Sequence, residues 1–155
     1  MTGILFVCLG NICRSPMAEF LMKQLLQNQG LSDNFHVASA GTSGWHNGED
    51  MHCGTAEILD SLNIDSSGFV SSQVNAQMAA QYDYIIAMDH DNLKQLQSIT
   101  DKDTQHLFVI TDLVPDLGYL KGVPDPWYTK NFDETKHLLQ QACKALLVHI
   151  QKTQA

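Results

Sequence analysis

The chain has 155 residues, 44% of them hydrophobic and 17% charged, and a formal net charge of −8. That is the size of one domain, residues 1–155, which can bury roughly 68–70% of its unfolded surface without staples. The acidic balance argues against nucleic acid and anionic membrane as general partners, because both reward a basic surface. Four cysteines, Cys8, Cys13, Cys53 and Cys143, are accompanied by no secretory signal and no apolar run near the ~20 residues of a membrane span. A cytoplasmic location with free thiols is therefore expected.

Short apolar runs with little polar alternation read as strands buried on both faces. In chain order, a strand over 4–8 (ILFVC) is followed by loop 8–15 and a helix over 16–29. That helix carries Met17, Leu21, Leu25 and Asn28 on one stripe, with Ala18 and Met22 beside it. A strand over 35–40 leads into loop 41–48 and a helix over 55–62. A strand over 83–88 leads through 88–92 into a helix over 89–98. A strand over 106–111 precedes the long loop 112–130 and a last helix over 132–152, with Leu138, Leu139, Ala142, Ala145, Leu146 and His149 at helical spacing. The pattern is α/β: a three-layer α/β/α domain with a four-stranded parallel sheet. Right-handed crossovers bring the carboxyl ends of the strands to one edge, where the ligand site of such folds lies.

The first of those edge loops carries the chemistry. Cys8, Leu9, Gly10, Asn11, Ile12, Cys13, Arg14 and Ser15 connect the first strand to the first helix, with Ser15 as expected N-cap, Pro16 at the first helical position and Glu19 in the first turn. Gly10 and Asn11 are residue types that accept positive φ, as a tight cradle of N–H groups requires. Arg14 is the only arginine in the chain. Its planar fork fits two oxygens of a phosphate at once, which a lysine cannot do. A thiol at Cys8 would face the loop N–H groups, a helix N-terminus and Arg14, surroundings that favour a nucleophilic thiolate. Cys8 and Cys13 also match a loose metal spacing, but no second tight Cys/His pair accompanies them and a phosphate cradle needs neither metal nor cofactor.

Cys8-x5-Arg14-Ser15, within VCLGNICRSPMAE, resembles the signature of the low-molecular-weight protein-tyrosine phosphatases. DPWY (125–128), SAGTSGWHNGE (39–49) and YDYIIAMDHDN (82–92) extend the resemblance over nearly the whole chain. It implies hydrolysis of phosphotyrosine through a phosphocysteine on Cys8. Arg14 would clamp the phosphate, and Asp125 would be the general acid and then the base. Ser15 would stabilise the Cys8 sulfur, Asn11 would hold the loop, and Cys13 would resolve an oxidised Cys8. Asp89 and Asp116 are weaker rivals for the acid. Trp45, Trp127 and Tyr128 would wall a cleft deep enough to prefer phosphotyrosine, and an exposed Tyr128 would itself be open to phosphorylation. The implied partners are phosphotyrosine proteins, a tyrosine kinase among the candidates, with the chain itself a monomer or weak dimer. Cys53 and Cys143 read as structural, and His46, His52 and the other histidines as surface or core residues rather than catalysts.

Two departures from the family pattern bear on the loop. The family often places a histidine, then Ala-Arg-Gln, where this chain has Phe69, Ser71, Ser72 and Gln73, which leaves the support of Asn11 open. Arginines usual after the tryptophan are replaced within DMHCGT (50–55). An arsenate reductase of the same fold needs further redox cysteines, and residues 80–105 contain none. A silent phosphate-binding module would need neither the thiol nor the acid.

Overall fold

The structure, a computed structural model, describes residues 1–154. Four strands, β1 (Thr2–Cys8), β2 (Phe35–Gly41), β3 (Tyr84–Ala87) and β4 (Leu107–Val109), form one parallel sheet in the order β2-β1-β3-β4. Successive side chains of a strand point to opposite faces, and the strands use both faces. Ile4, Phe6, Cys8, Tyr84, Ile86 and Phe108 enter one core; Leu5, Val7, Ile85, Ala87, Leu107 and Val109 enter the other. Helices α1 (Arg14–Asn28), α2 (Cys53–Ser61) and α6 (Phe132–Gln154) cover the first face. The short α3 (Ala76–Ala79) and α4 (His90–Leu96) lie on the second. The expected three-layer α/β fold is the one observed. Among the described residues no helix is long and apolar enough to cross a membrane.

The strand order reverses between β1 and β3, so their carboxyl ends open a crevice at a topological switch point. Cys8 ends β1 on one side of that crevice, and Asp89 caps α4 on the other through a reciprocal box with Asn92. The chain returns to the crevice from β4 by pairing against Asp89: Val123 N–H donates to Met88 C=O at 2.8 Å. Gly122 makes this possible, because its φ is +123° and a Cβ there would lie 2.4 Å from the Asp89 Cα. The returning segment then forms α5 (Pro126–Thr129), one helical turn capped by Asp125, inside what the sequence reads as continuous loop.

Several boundaries differ from the sequence reading for physical reasons. Helix α1 begins at Arg14, with Cys13 at the N-cap position, so Pro16 is the third helical residue and Ser15 does not cap. Proline is still acceptable there, because first-turn N–H groups lack helical partners. Glu19 consequently sits in the second turn, buried rather than facing the dipole. The α1 stripe is rotated as well: Leu26 is buried, Leu25 only partly and Asn28 is exposed. Arg14, Ser15 and Glu19 occupy core-facing positions of the helix, which blurs its apolar periodicity. Strand β4 is only three residues long, and residues 110–113 turn into a 3₁₀ helix.

Candidate active site

Asn11 organises the phosphate loop. It is fully buried at φ +56°, the left-handed region that asparagine tolerates better than other side chains. Its Nδ2 donates to Ser15 Oγ at 2.9 Å and to Ser39 Oγ at 3.0 Å. Its Oδ1 accepts from Ser72 N–H at 3.0 Å, and its carbonyl accepts from Ser71 Oγ at 2.7 Å. Ser39 Oγ in turn donates to Glu19 Oε1, and Lys23 closes that carboxylate with a 2.7 Å contact to Oε2. The question left open by Phe69, Ser71 and Ser72 is thus answered: the two serines hold Asn11, while Phe69 packs edge-on to Phe20 with ring centroids 6.1 Å apart.

Ser15 links this network to Cys8. Its Oγ receives the Asn11 bond, which leaves its own proton for Cys8 Sγ at 3.0 Å or the Ala40 carbonyl at 3.3 Å. A hydroxyl that already accepts one bond is directed to donate the other. Gly10 does not take a positive φ; a Cβ there would meet the His46 ring at 3.0 Å. The glycine that sequence reasoning passed over is Gly41, paired with Cys8 across the sheet, where a Cβ would lie 2.8 Å from the Leu9 carbonyl.

Arg14 is 3% exposed and enclosed by acceptors. Nη1 donates to Asp89 Oδ2 at 2.6 Å and to the Val123 carbonyl at 3.0 Å, and Nη2 lies 3.5 Å from Asp125 Oδ2. Burial opposes its charge, but Cys8, Asp125 and Asp89 outweigh burial and push the guanidinium pKa upward. Asp89 is therefore not a free acid: one oxygen orients Arg14 and the other caps α4. Its role in holding the clamp had one sequence signal, its position at the end of the third strand. Asp116 sits in the 3₁₀ turn Pro115–Leu117, away from the cleft.

Asp125 accepts from Trp127 N–H through Oδ1 at 3.0 Å, so Oδ2 is the oxygen left facing the clamp. Cys8, Arg14 and Asp125 line a single cleft of about 130 Å³. Leu9, Gly10, Ile12 and Cys13 line it as well, and Trp45, Trp127 and Tyr128 stand at its rim. His46 also reaches it, bonded to Glu49 at 3.2 Å, although sequence reasoning set every histidine aside. Cys13 is buried in the loop, and burial, with Cys8 and Asp125 nearby, pushes its thiol up to about 12. Cys143 is buried as expected, and burial raises it to about 12 too. Cys53 is exposed at the first turn of α2 and packs into no core, which corrects its structural reading.

With this geometry established, comparison with known proteins is informative. Residues 3–155 match the sequence profile of the low molecular weight phosphotyrosine protein phosphatase family. The low molecular weight protein-tyrosine-phosphatase YfkJ of Bacillus subtilis is 46% identical over 153 residues, 98% of this chain and 97% of that protein. The PtpA phosphatase of Staphylococcus epidermidis is 41% identical over 152 residues, 98% of this chain and 96% of its own. The crystal structure of YfkJ superposes with a TM-score of 0.93 at 45% identity, covering 100% of this chain and 98% of that one. The family profile and these relatives span nearly the full length, and the chain belongs to the low molecular weight phosphotyrosine protein phosphatase family.

Proposed function

We propose that this protein-tyrosine phosphatase hydrolyses phosphotyrosine and other aryl phosphates through a phosphocysteine on Cys8. The observation that carries the reading is the convergence of a hydroxyl-bonded thiol, a doubly anchored guanidinium and a carboxyl group on one cleft. In the first step the Cys8 thiolate attacks phosphorus, an S–P bond forms, and the bond from phosphorus to the phenolic oxygen breaks. Asp125 gives its proton to that oxygen, so tyrosine leaves neutral. Arg14 and the loop N–H groups take the charge on the equatorial oxygens. In the second step Asp125 takes a proton from water, the water oxygen attacks phosphorus, and the S–P bond breaks to return the thiolate and free phosphate.

The aromatic rim supports an aryl ester as substrate. Trp45, Trp127 and Tyr128 offer ring faces above a cradle that a phosphate on a short serine side chain would reach poorly. The natural substrates would be tyrosine-phosphorylated proteins. A catalytic thiolate works where thiols stay reduced, so the cytoplasm is the compartment this chemistry suits.

The test is hydrolysis of p-nitrophenyl phosphate by reduced enzyme, from mildly acidic to mildly basic pH, wild type beside Cys8→Ser. Turnover with an acidic optimum that the serine variant lacks, and a trapped phosphoenzyme on Cys8 in the wild type, is the expected result. A folded wild type with no turnover, or a serine variant that keeps it, would overturn the phosphocysteine route.

A further inference from the structure

His52 has no part in the mechanism above, yet it touches both the phosphate loop and the turn that carries Asp125. Its backbone N–H donates to the Ile12 carbonyl of the phosphate loop at 2.8 Å. Its Nδ1 accepts from Gly54 N–H at 2.9 Å and caps α2. A ring nitrogen that accepts carries no proton, so in this contact the ring hydrogen lies on Nε2. The ring stacks on Phe132, with centroids 5.0 Å apart and planes at 25°, and stands perpendicular to Trp127 at 5.7 Å. Phe132 is itself pressed against α2: a Cβ on Gly54 would lie 2.5 Å from its ring.

Trp127 and Phe132 bracket the exit of the turn that carries Asp125. The Trp127 backbone N–H is bonded directly to the Asp125 carboxylate, so the residue that presents the indole also holds the carboxylate. His46 touches the same indole at 6.2 Å, and the Lys130 ammonium lies 5.5 Å from its ring centre. His52 joins the indole both to the phosphate loop, through its backbone bond to Ile12, and to Phe132 at the start of α6.

We propose that His52 is a positioning residue: its ring is the peg that sets the Asp125 turn against the phosphate loop, and so aims the proton at the leaving oxygen. The proposal rests on Asp125 as general acid, and the two readings separate by leaving group. Phenyl phosphate needs a proton on its departing oxygen; 2,4-dinitrophenyl phosphate releases a stable phenolate without one.

His52→Asn keeps a good N-cap and the backbone bond to Ile12 but deletes the ring. It is expected to lower kcat/KM for phenyl phosphate by about tenfold, since small misplacements of a catalytic group cost up to about a hundredfold. With the dinitrophenyl ester, and in inhibition by inorganic phosphate, it stays within about twofold of wild type, because neither reports on proton delivery. His52→Phe keeps the ring and loses the cap, and it recovers most of the phenyl phosphate rate even if α2 is less stable. Equal losses on both esters, no loss on phenyl phosphate, or a phenylalanine variant no better than asparagine would overturn the proposal. Asp125→Asn runs beside them. If it too loses equally on both esters, the acid reading falls and this proposal with it. A selective loss there, with none in His52→Asn, removes the proposal alone.

Discussion

The two sides of the cleft are held in opposite ways. The phosphate loop is interior: Asn11 and Ser15 are fully buried, Arg14 is 3% exposed, and the three residues are bonded to strands β1 and β2, residues 71–72 and the segment at Val123. The Asp125 turn is largely exterior: Trp127 is 45% exposed and Tyr128 75%, and a carboxylate cap, the 3.5 Å contact of Asp125 with Arg14, the buried Pro126 and a few ring contacts hold it. Directional bonds in a dry interior are costly to break, whereas exposed ring contacts are remade easily. The difference suits the proposed chemistry. Binding a phosphoryl group in its transition state needs one fixed geometry, and a group at the mouth must let substrate enter and product leave.

The contrast is tested hardest at its interior end. Arg14→Lys keeps the charge but cannot fork, and leaves Asp89 and the Val123 carbonyl partly unsatisfied. Steady-state rates on p-nitrophenyl phosphate should fall by about 10³-fold. On the other side, Asp125→Asn still caps α5, so circular dichroism and Tm should hold while kcat/KM on phenyl phosphate falls by about 10²-fold. A loss from Asp125→Asn as large as that from Arg14→Lys, with a fall in Tm, would show the exterior side to be equally rigid.

Asn11→Ala addresses the network itself. It forces a Cβ-bearing residue without a polar side chain to stay left-handed, and it strips bonds from Ser15, Ser39 and Ser72. Urea denaturation should register a loss of about 2–4 kcal/mol. The buried thiols give a pH signature of the same interior. Cys13 and Cys143 sit near 12 in the fold against 9.0 for a free thiol. The unfolded chain therefore loses those protons first. Stability is full below pH 9.0 and falls as pH climbs towards 12. Urea midpoints at rising alkaline pH should show that decline, and Cys143→Ala should flatten part of it. The smallest effect belongs to the rim: Trp45, 76% exposed, becomes alanine with stability unchanged within about 0.5 kcal/mol. KM for a phosphotyrosine peptide should rise a few-fold, as loss of one exposed aromatic contact implies.

How far the molecule was legible follows the same divide. The four strands stood out because both faces of the sheet are buried, which makes each strand a nearly unbroken apolar run. Cys8 and Arg14 were legible because a thiol at the end of the first strand and the single guanidinium share one edge loop, whereas Asp125, in the long loop after the fourth strand, was singled out by the family-like DPWY stretch. Less legible were the α1 boundary and its stripe, since Arg14, Ser15 and Glu19 spend core-facing positions on the site. The turn α5 was not legible at all: four residues hold no period, and only the Asp125 cap and the packing of Trp127 create it.

The sequence by itself determined the class of fold, the sheet edge where the candidate site lies and the residues proposed for it, because these depend on residue type and on order along the chain. Tertiary structure alone decided the rest. It assigned Asp89 to the clamp rather than to proton transfer, gave Ser39, Ser71 and Ser72 the task of holding Asn11, released Ser15 from capping to face the sulfur, and set His52 beside Trp127. Each of those contacts joins residues between 7 and 75 positions apart, and nothing in the local sequence states which distant atoms will satisfy a buried polar group.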